Sequence, residues 1–320
     1  MNIQITDYEK RIYEYAIKAG YDDCGIIPIE DTEEYNQQLN QRMEKIPESS
    51  YFYSNFTEVM NTKKQFPWAK SVIICTYNYG QYRYPKELQG KYAKAFFLSP
   101  ESNKNGNDYK RKIHFINDVE NLGIKIQGGE QFISHVQVGG LRNMAAKAGL
   151  GIIRNNNFLY TEKGSWVGLD GFVIDKELTL YQHHNIKPCS DKCTICRKNC
   201  PTGCLSDIRT MNPFRCISFI NTFGHNKLPE DINETQMGSW IIGCDACQDC
   251  CPHNRHDWDK GTEFPGLESL VDVLEPHNLS KETDEKIQEL IVPKTTEHIA
   301  PTEVEIVRES ARRYIRNAGK

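Results

Sequence analysis

A chain of 320 residues, 38% hydrophobic and 10% aromatic, is long enough for two domains and a well-buried core. Its net charge of −4, from 39 basic and 43 acidic side chains, supplies no general electrostatic pull toward nucleic acid. No apolar run approaches the length of a membrane span, residues 1–7 lack the basic and apolar regions of a secretion signal, and twelve cysteines without an export signal point to a reducing, cytoplasmic setting with no membrane partner.

Taken in order, residues 7–19 carry apolar positions at helical spacing behind Asp7, and Gly20 ends that helix. A short strand over 24–28 follows, with Cys24 as a buried small hydrophobe. Residues 31–66 are polar and aromatic with little usable periodicity. The run 70–77 is the clearest strand of the first half. Residues 78–106 read as a long loop, of the kind that forms lids or stays unstructured. A helix is expected from about Asp108 to Leu122, stopped by Gly123, and a strand from Phe132 to Val138. Gly139-Gly140 opens a small-residue helix over 142–148; nothing there matches a P-loop or dinucleotide fingerprint, so a structural turn is the better reading. Asn155-Asn156-Asn157 is either a solvated loop or a polar cofactor contact, and a strand follows from Gly164 through Ile174. Late in the chain, 265–275 and 280–291 read as short helices. Thr302-Glu303-Val304-Glu305 resembles a capping box that starts a final helix.

The stretch with chemical content runs from Cys189 to Pro252. Its first block is Cys189-x3-Cys193-x2-Cys196-x3-Cys200-Pro201; the second is Cys216, a gap, then Cys244-x2-Cys247-x3-Cys251-Pro252. Two thiolates separated by two residues wrap one corner of a cubane cluster, and the cysteine before each proline turns away to the other cluster. The spacing therefore predicts two [4Fe–4S] clusters: cluster A on Cys189, Cys193, Cys196 and Cys251, and cluster B on Cys200, Cys216, Cys244 and Cys247. The three-residue gap after Cys189, where two would be usual, weakens Cys189 as a ligand. Structural zinc is the competing reading, but zinc calls for no Cys-Pro at the end of each block. Cys204 and Cys250 fall outside the assignment as spare thiols, with ligand exchange the alternative.

Beyond the cysteines, the segments 19–26, 69–74, 148–151, 164–167, 200–203 and 243–248 together resemble the epoxyqueuosine reductase family and, more distantly, reductive dehalogenases. The resemblance implies an α+β protein. An N-terminal α/β corrinoid-binding-type domain (1–180) would be followed by a ferredoxin-like two-cluster module (181–262) and a short C-terminal helical segment (263–320). It also implies a bound cobalamin and electrons passed through the clusters from a low-potential donor such as ferredoxin or flavodoxin. By position in the family, Leu159 and Leu169 would line the corrinoid from one side and Phe223 from the other; plain core packing is the alternative for each.

The family's acidic proton donor has no match. The corresponding stretch is His135-Val136-Gln137-Val138-Gly139, which puts either Gln137 or His135 at its position. Gln cannot serve as an acid; His titrates near neutrality and can. The chain also stops about where the family's helical repeats begin. These departures, with the acidic net charge, lead to the expectation of a cobalamin-dependent reductase of a small molecule. Two alternatives stand beside it: true epoxyqueuosine reduction on tRNA, with Arg308, Arg312, Arg313 and Arg316 as the place a tRNA would touch, and a two-cluster electron-transfer protein without a corrinoid.

Overall fold

The computed structural model describes residues 7–59, 61–97, 106–128, 138–207, 209–295, 299 and 302–319. The expected strand over 132–138 therefore lies, but for Val138, outside the described residues, as do His135 and Gln137. The protein mixes helices with antiparallel strands, an α+β class, and divides into two compact units: 1–78 with 109–190, and 79–108 with 191–320.

The first unit is built on a four-stranded sheet in the order Asp23–Pro28, Ser71–Asn78, Val167–Ile174, Ile126–Gly128, each neighbouring pair antiparallel. The Ser71–Asn78 strand sits inside this sheet and its first six residues are buried, so it reads as a continuous apolar run rather than an alternating one. Its two sets of side chains serve two cores. Ile73 and Cys75 join Cys24, Phe115, Val119 and Phe172 under the Asp7–Ala19 and Asn107–Glu120 helices. Val72 and Ile74 join Met144, Ala145, Ala148 and Val173 under the Leu141–Lys147 helix.

Gly20, at φ +104°, ends the first helix as its position predicts, and the Tyr21 N–H returns to the Ala16 carbonyl at 3.0 Å. Gly140, at φ +73°, caps the Leu141–Lys147 helix. A side chain there would meet the Tyr35 ring at 2.8 Å, so this glycine has a structural task. The stretch 31–66, which offers no clear period, forms helices Glu33–Lys45, Ser50–Val59 and Thr62–Gln65. Among the described side chains they bury a few scattered ones, such as Leu39, Arg42 and Tyr53, too sparse a stripe to announce a helix.

The second unit is poor in regular structure and rich in single helical turns, among them Ile195–Lys198, Ile217–Ile220 and Ala246–Asp249. The expected loop over 78–106 contributes to its core. Tyr84, Leu88, Tyr92 and Phe97 are each 2% exposed or less, and Tyr92 donates to the Leu274 carbonyl at 2.6 Å. Residues 265–275 form turns around a 3-10 segment, Glu268–Leu270, and the helical turn comes later, at Pro276–Leu279. Pro276, at the first helical position and needing no N–H partner, starts it there. The final helix is Val304–Ala318, but the expected capping box does not form, because Glu303 is the N-cap and makes no side-chain capping bond.

Candidate iron–sulfur site

The two cysteine blocks fold into the same local shape. In each, a cysteine precedes a single helical turn that carries the next one: Cys193 before Ile195–Lys198 with Cys196, and Cys244 before Ala246–Asp249 with Cys247. Each turn then delivers a Cys-Pro pair, Cys200-Pro201 and Cys251-Pro252, and the two helical turns pack against each other. Gly203, at φ +64°, closes the first Cys-Pro turn with its N–H on the Cys200 carbonyl at 3.1 Å. Cys216 is the N-cap of Ile217–Ile220.

None of the twelve cysteines is in a disulfide. Cys196, Cys204 and Leu205 form a buried cluster against which Cys200, Cys216, Cys247 and Cys250 pack. Electrostatics give the finer grouping. Hydrogen bonding from Cys204 pulls the Cys200 thiol down to about 5, helped by the Leu205 and Cys204 backbone N–H groups against its own burial. The same Cys204 bond lowers Cys216. Burial first, and then neighbouring thiols, push both Cys244 and Cys247 well up: Cys216 and Cys200 act on Cys244, and Cys244, Cys216 and Cys200 act on Cys247. These four thiols and Cys204 thus share one neighbourhood. Cys250, pushed up to about 11 by burial, feels Cys196 and Cys251 instead. Among the described residues no three of His, Cys, Asp or Glu converge to hold a single metal ion. An all-thiol donor set suits iron–sulfur clusters.

The second block is anchored by contacts the cysteine pattern does not reveal. Asp245, inside the Cys244–Cys247 pair, is 2% exposed and accepts from the Lys94 backbone N–H at 2.9 Å and from Lys94 Nζ at 3.1 Å. Lys94 Nζ also reaches Asp249 at 3.2 Å and stands 4.9 Å from the Trp258 ring centre. Asn221 clamps Gly243 with two hydrogen bonds, 3.0 and 3.1 Å, immediately before Cys244. Asp245 could have been picked out by its place inside the motif. Lys94, some 150 residues earlier in sequence, carries no local signal.

Cys189 belongs to the first unit, where it is half-buried and accepts from Arg154 Nη1 at 3.7 Å. Leu159, also there, is 2% exposed and packs with Met144, Ala148 and Val173; Leu169 is half-buried against the same core. Phe223, in the second unit, is 42% exposed beside Phe219. The asparagine triplet is buried rather than solvated: Asn156 donates to the Tyr160 hydroxyl at 3.0 Å and Asn157 accepts from Arg42 at 3.2 Å. The four arginines of the final helix face carboxylates and carbonyls of this chain. Arg308 pairs with Asp284 and Glu305, Arg312 with Glu305, and Arg316 with Glu234 and Glu309. Arg313, 3% exposed, donates to Asn226 at 2.6 Å and to the Trp240 carbonyl at 2.8 Å.

Residues 189–254 match the family model of a 4Fe-4S double cluster binding domain, so the chain is a two-cluster iron–sulfur protein. It is similar along most of its length to curated oxidoreductases. An epoxyqueuosine reductase of Cellulophaga algicola is 30% identical over 288 residues, covering 87% of this chain and 88% of that protein. One of Leadbetterella byssophila is 28% identical, covering 81% and 84%. The chain belongs to the epoxyqueuosine reductase family.

Solved structures share the fold. That of the Streptococcus thermophilus epoxyqueuosine reductase has a TM-score of 0.78 at 21% identity, over 98% of this chain and 82% of that one. Another epoxyqueuosine reductase, solved with an epoxyqueuosine-modified tRNA stem loop, has a TM-score of 0.70 at 21% identity over 97% and 81%. These relatives overturn the expectation of a small-molecule substrate and of disfavoured tRNA. That expectation weighed net charge, chain length and the unmatched acidic donor, and none of the three excludes one local nucleic-acid site.

Proposed function

We propose that this protein is an epoxyqueuosine reductase that acts on tRNA, removing the epoxide oxygen as water at the expense of two electrons and two protons. The observation that carries the reading is the 30% identity to an epoxyqueuosine reductase across 87% of the chain, joined to the double-cluster match. Electrons come from an external low-potential donor such as ferredoxin or flavodoxin, in the cytoplasm. No helix among the described residues is long and apolar enough to cross a membrane.

The thiolates hold the two clusters: Cys189, Cys193, Cys196 and Cys251 one of them, Cys200, Cys216, Cys244 and Cys247 the other. Cobalamin is the second cofactor of this reading, and the first unit has residues that suit it. Asn36 Oδ1 is buried with no hydrogen-bond partner among the described residues. Arg42 and Arg142 converge on Asn157, and among the described residues neither pairs with a carboxylate. Burial, with Arg42 adding to it, holds the Arg142 guanidinium below its ordinary value. Such groups match the amides and phosphodiester that rim a corrinoid, and Leu159 and Leu169 would supply apolar contacts. When bound, the cofactors supply low-potential electrons and a strongly reducing cobalt. The protein's own part is to fix the thiolates, exclude water and deliver protons, with His135 or Gln137 at the family's donor position and His135 the one able to donate.

The test is turnover of epoxyqueuosine-containing tRNA by protein carrying both clusters and cobalamin, with a low-potential donor, followed by nucleoside mass spectrometry. Queuosine should accumulate; loaded protein that leaves the epoxide intact overturns the reading.

A further inference from the structure

Arg154 is 3% exposed, yet among the described residues no carboxylate pairs with it. Its guanidinium donates from Nη2 to the Lys187 carbonyl at 2.9 Å and from Nη1 to Cys189 Sγ at 3.7 Å, and its carbon centre lies 5.0 Å from the Tyr160 ring centre. Nε is buried with no hydrogen-bond partner among the described residues. The backbone holds Arg154 in place: its N–H donates to the Phe158 carbonyl at 3.0 Å, and its carbonyl accepts from Asn157 at 2.9 Å. Among the described residues the buried guanidinium thus meets a carbonyl, a ring face and a sulfur but no counter-charge, a costly state unless an anion supplies one.

We propose that Arg154 is a positioning and tuning residue for the cluster ligated by Cys189. A cysteine bound to iron is a thiolate, so ligation places a fixed negative charge where the guanidinium points. The contact also addresses the weakest point in the ligand pattern. Cys189 stands one residue further from Cys193 than the usual spacing, so the backbone constrains its sulfur less. The Arg154 fork, held on the Lys187 carbonyl two residues earlier, fixes that sulfur from outside the motif. A cation here favours the more negative, reduced cluster and so raises its midpoint potential. The inference rests on Cys189 being a cluster ligand.

The experiment is potentiometric titration of anaerobically reconstituted full-length protein, followed by electron paramagnetic resonance, with iron counted per chain. In Arg154→Met one cluster's midpoint should move to more negative values while the other stays. Unchanged midpoints in a fully loaded Arg154→Met protein overturn the proposal. If that variant does not load, Arg154→Lys and Arg154→Gln decide. The Lys variant should stay near the parent midpoint and the Gln variant should fall below it; equal values overturn the proposal. Cys189→Ser run in parallel separates the two layers. Loss of one cluster there supports the ligand assignment, whereas full iron with unchanged spectra removes it whatever Arg154 does.

Discussion

Lys94 Nζ lies 3.1 Å from a carboxylate oxygen of Asp245, and both side chains are 3% exposed or less. The pair ties the 79–108 stretch to the turn between Cys244 and Cys247, so a buried ion pair anchors this cysteine turn to the core of its unit. Burial raises the Asp245 carboxyl and Lys94 works against that rise. Lys94→Met should therefore destabilise the protein by about 3–5 kcal/mol, because it leaves a buried carboxylate uncompensated. Thermal unfolding of Lys94→Met beside Lys94→Met/Asp245→Asn tests this. The double variant should recover most of the loss, and equal losses would refute the pairing.

Gly243 should tolerate no side chain. At φ +70° a Cβ would meet Ala93 Cβ at 2.5 Å and the Phe96 ring at 2.6 Å. Gly243→Ala combines about 1–2 kcal/mol of backbone strain with overpacking of about 1–3 kcal/mol. The turn before Cys244 should shift, and iron per chain after reconstitution should drop. Full iron and an unchanged melting temperature would count against this account.

Cys204 lies between Cys200 and Cys216 without a place in the ligand pattern. Cys204→Ala should keep about eight iron atoms per chain, whereas Cys196→Ser should lose about half of them. Iron analysis decides, and loss of a cluster in Cys204→Ala would make Cys204 a ligand.

The arginines of the final helix should matter for folding more than for tRNA. Arg313→Met removes a buried donor from both Asn226 and Trp240 and should cost about 2–4 kcal/mol. Arg312→Gln and Arg316→Gln disturb only exposed ion pairs, each worth about 1 kcal/mol or less. Their turnover of epoxyqueuosine-containing tRNA should stay within about twofold of the parent, a change below about 0.5 kcal/mol. A tenfold loss would assign the helix to the tRNA surface.

The same helix sets a pH dependence. Burial pushes the Glu305 carboxyl up, but hydrogen bonds from Arg308 at 2.7 Å and Arg312 at 2.6 Å outweigh it and leave the group below its ordinary value. A carboxyl lowered in the folded state contributes stability above its unfolded value and loses it as pH falls through the folded one. The acid-side decline in melting temperature should accordingly be shallower in Glu305→Gln. The group is largely exposed, so the difference should not exceed about 1 kcal/mol. Parallel acid slopes would remove Glu305 from the account.

The sequence by itself determined the iron–sulfur chemistry, because iron ligation through CxxC and Cys-Pro elements is a matter of short-range covalent reach. The spacing from Cys193 to Cys200 repeats from Cys244 to Cys251, and both blocks fold into the same helical turn. The helix ended by Gly20 and the strand from Ser71 were legible for the same local reason. Tertiary structure decided what depends on partners distant in sequence. The Glu33–Lys45 helix carries no clear stripe and is held by packing. The capping box spelled by Thr302 to Glu305 does not form. The arginines of the last helix, a stripe on paper, are engaged by Asp284, Glu234 and the Trp240 carbonyl. Lys94 and Arg154 became visible only in the fold, because burial strips water from a charge and leaves its environment to whatever neighbours the fold brings, Asp245 for Lys94 and the Lys187 carbonyl and Cys189 sulfur for Arg154.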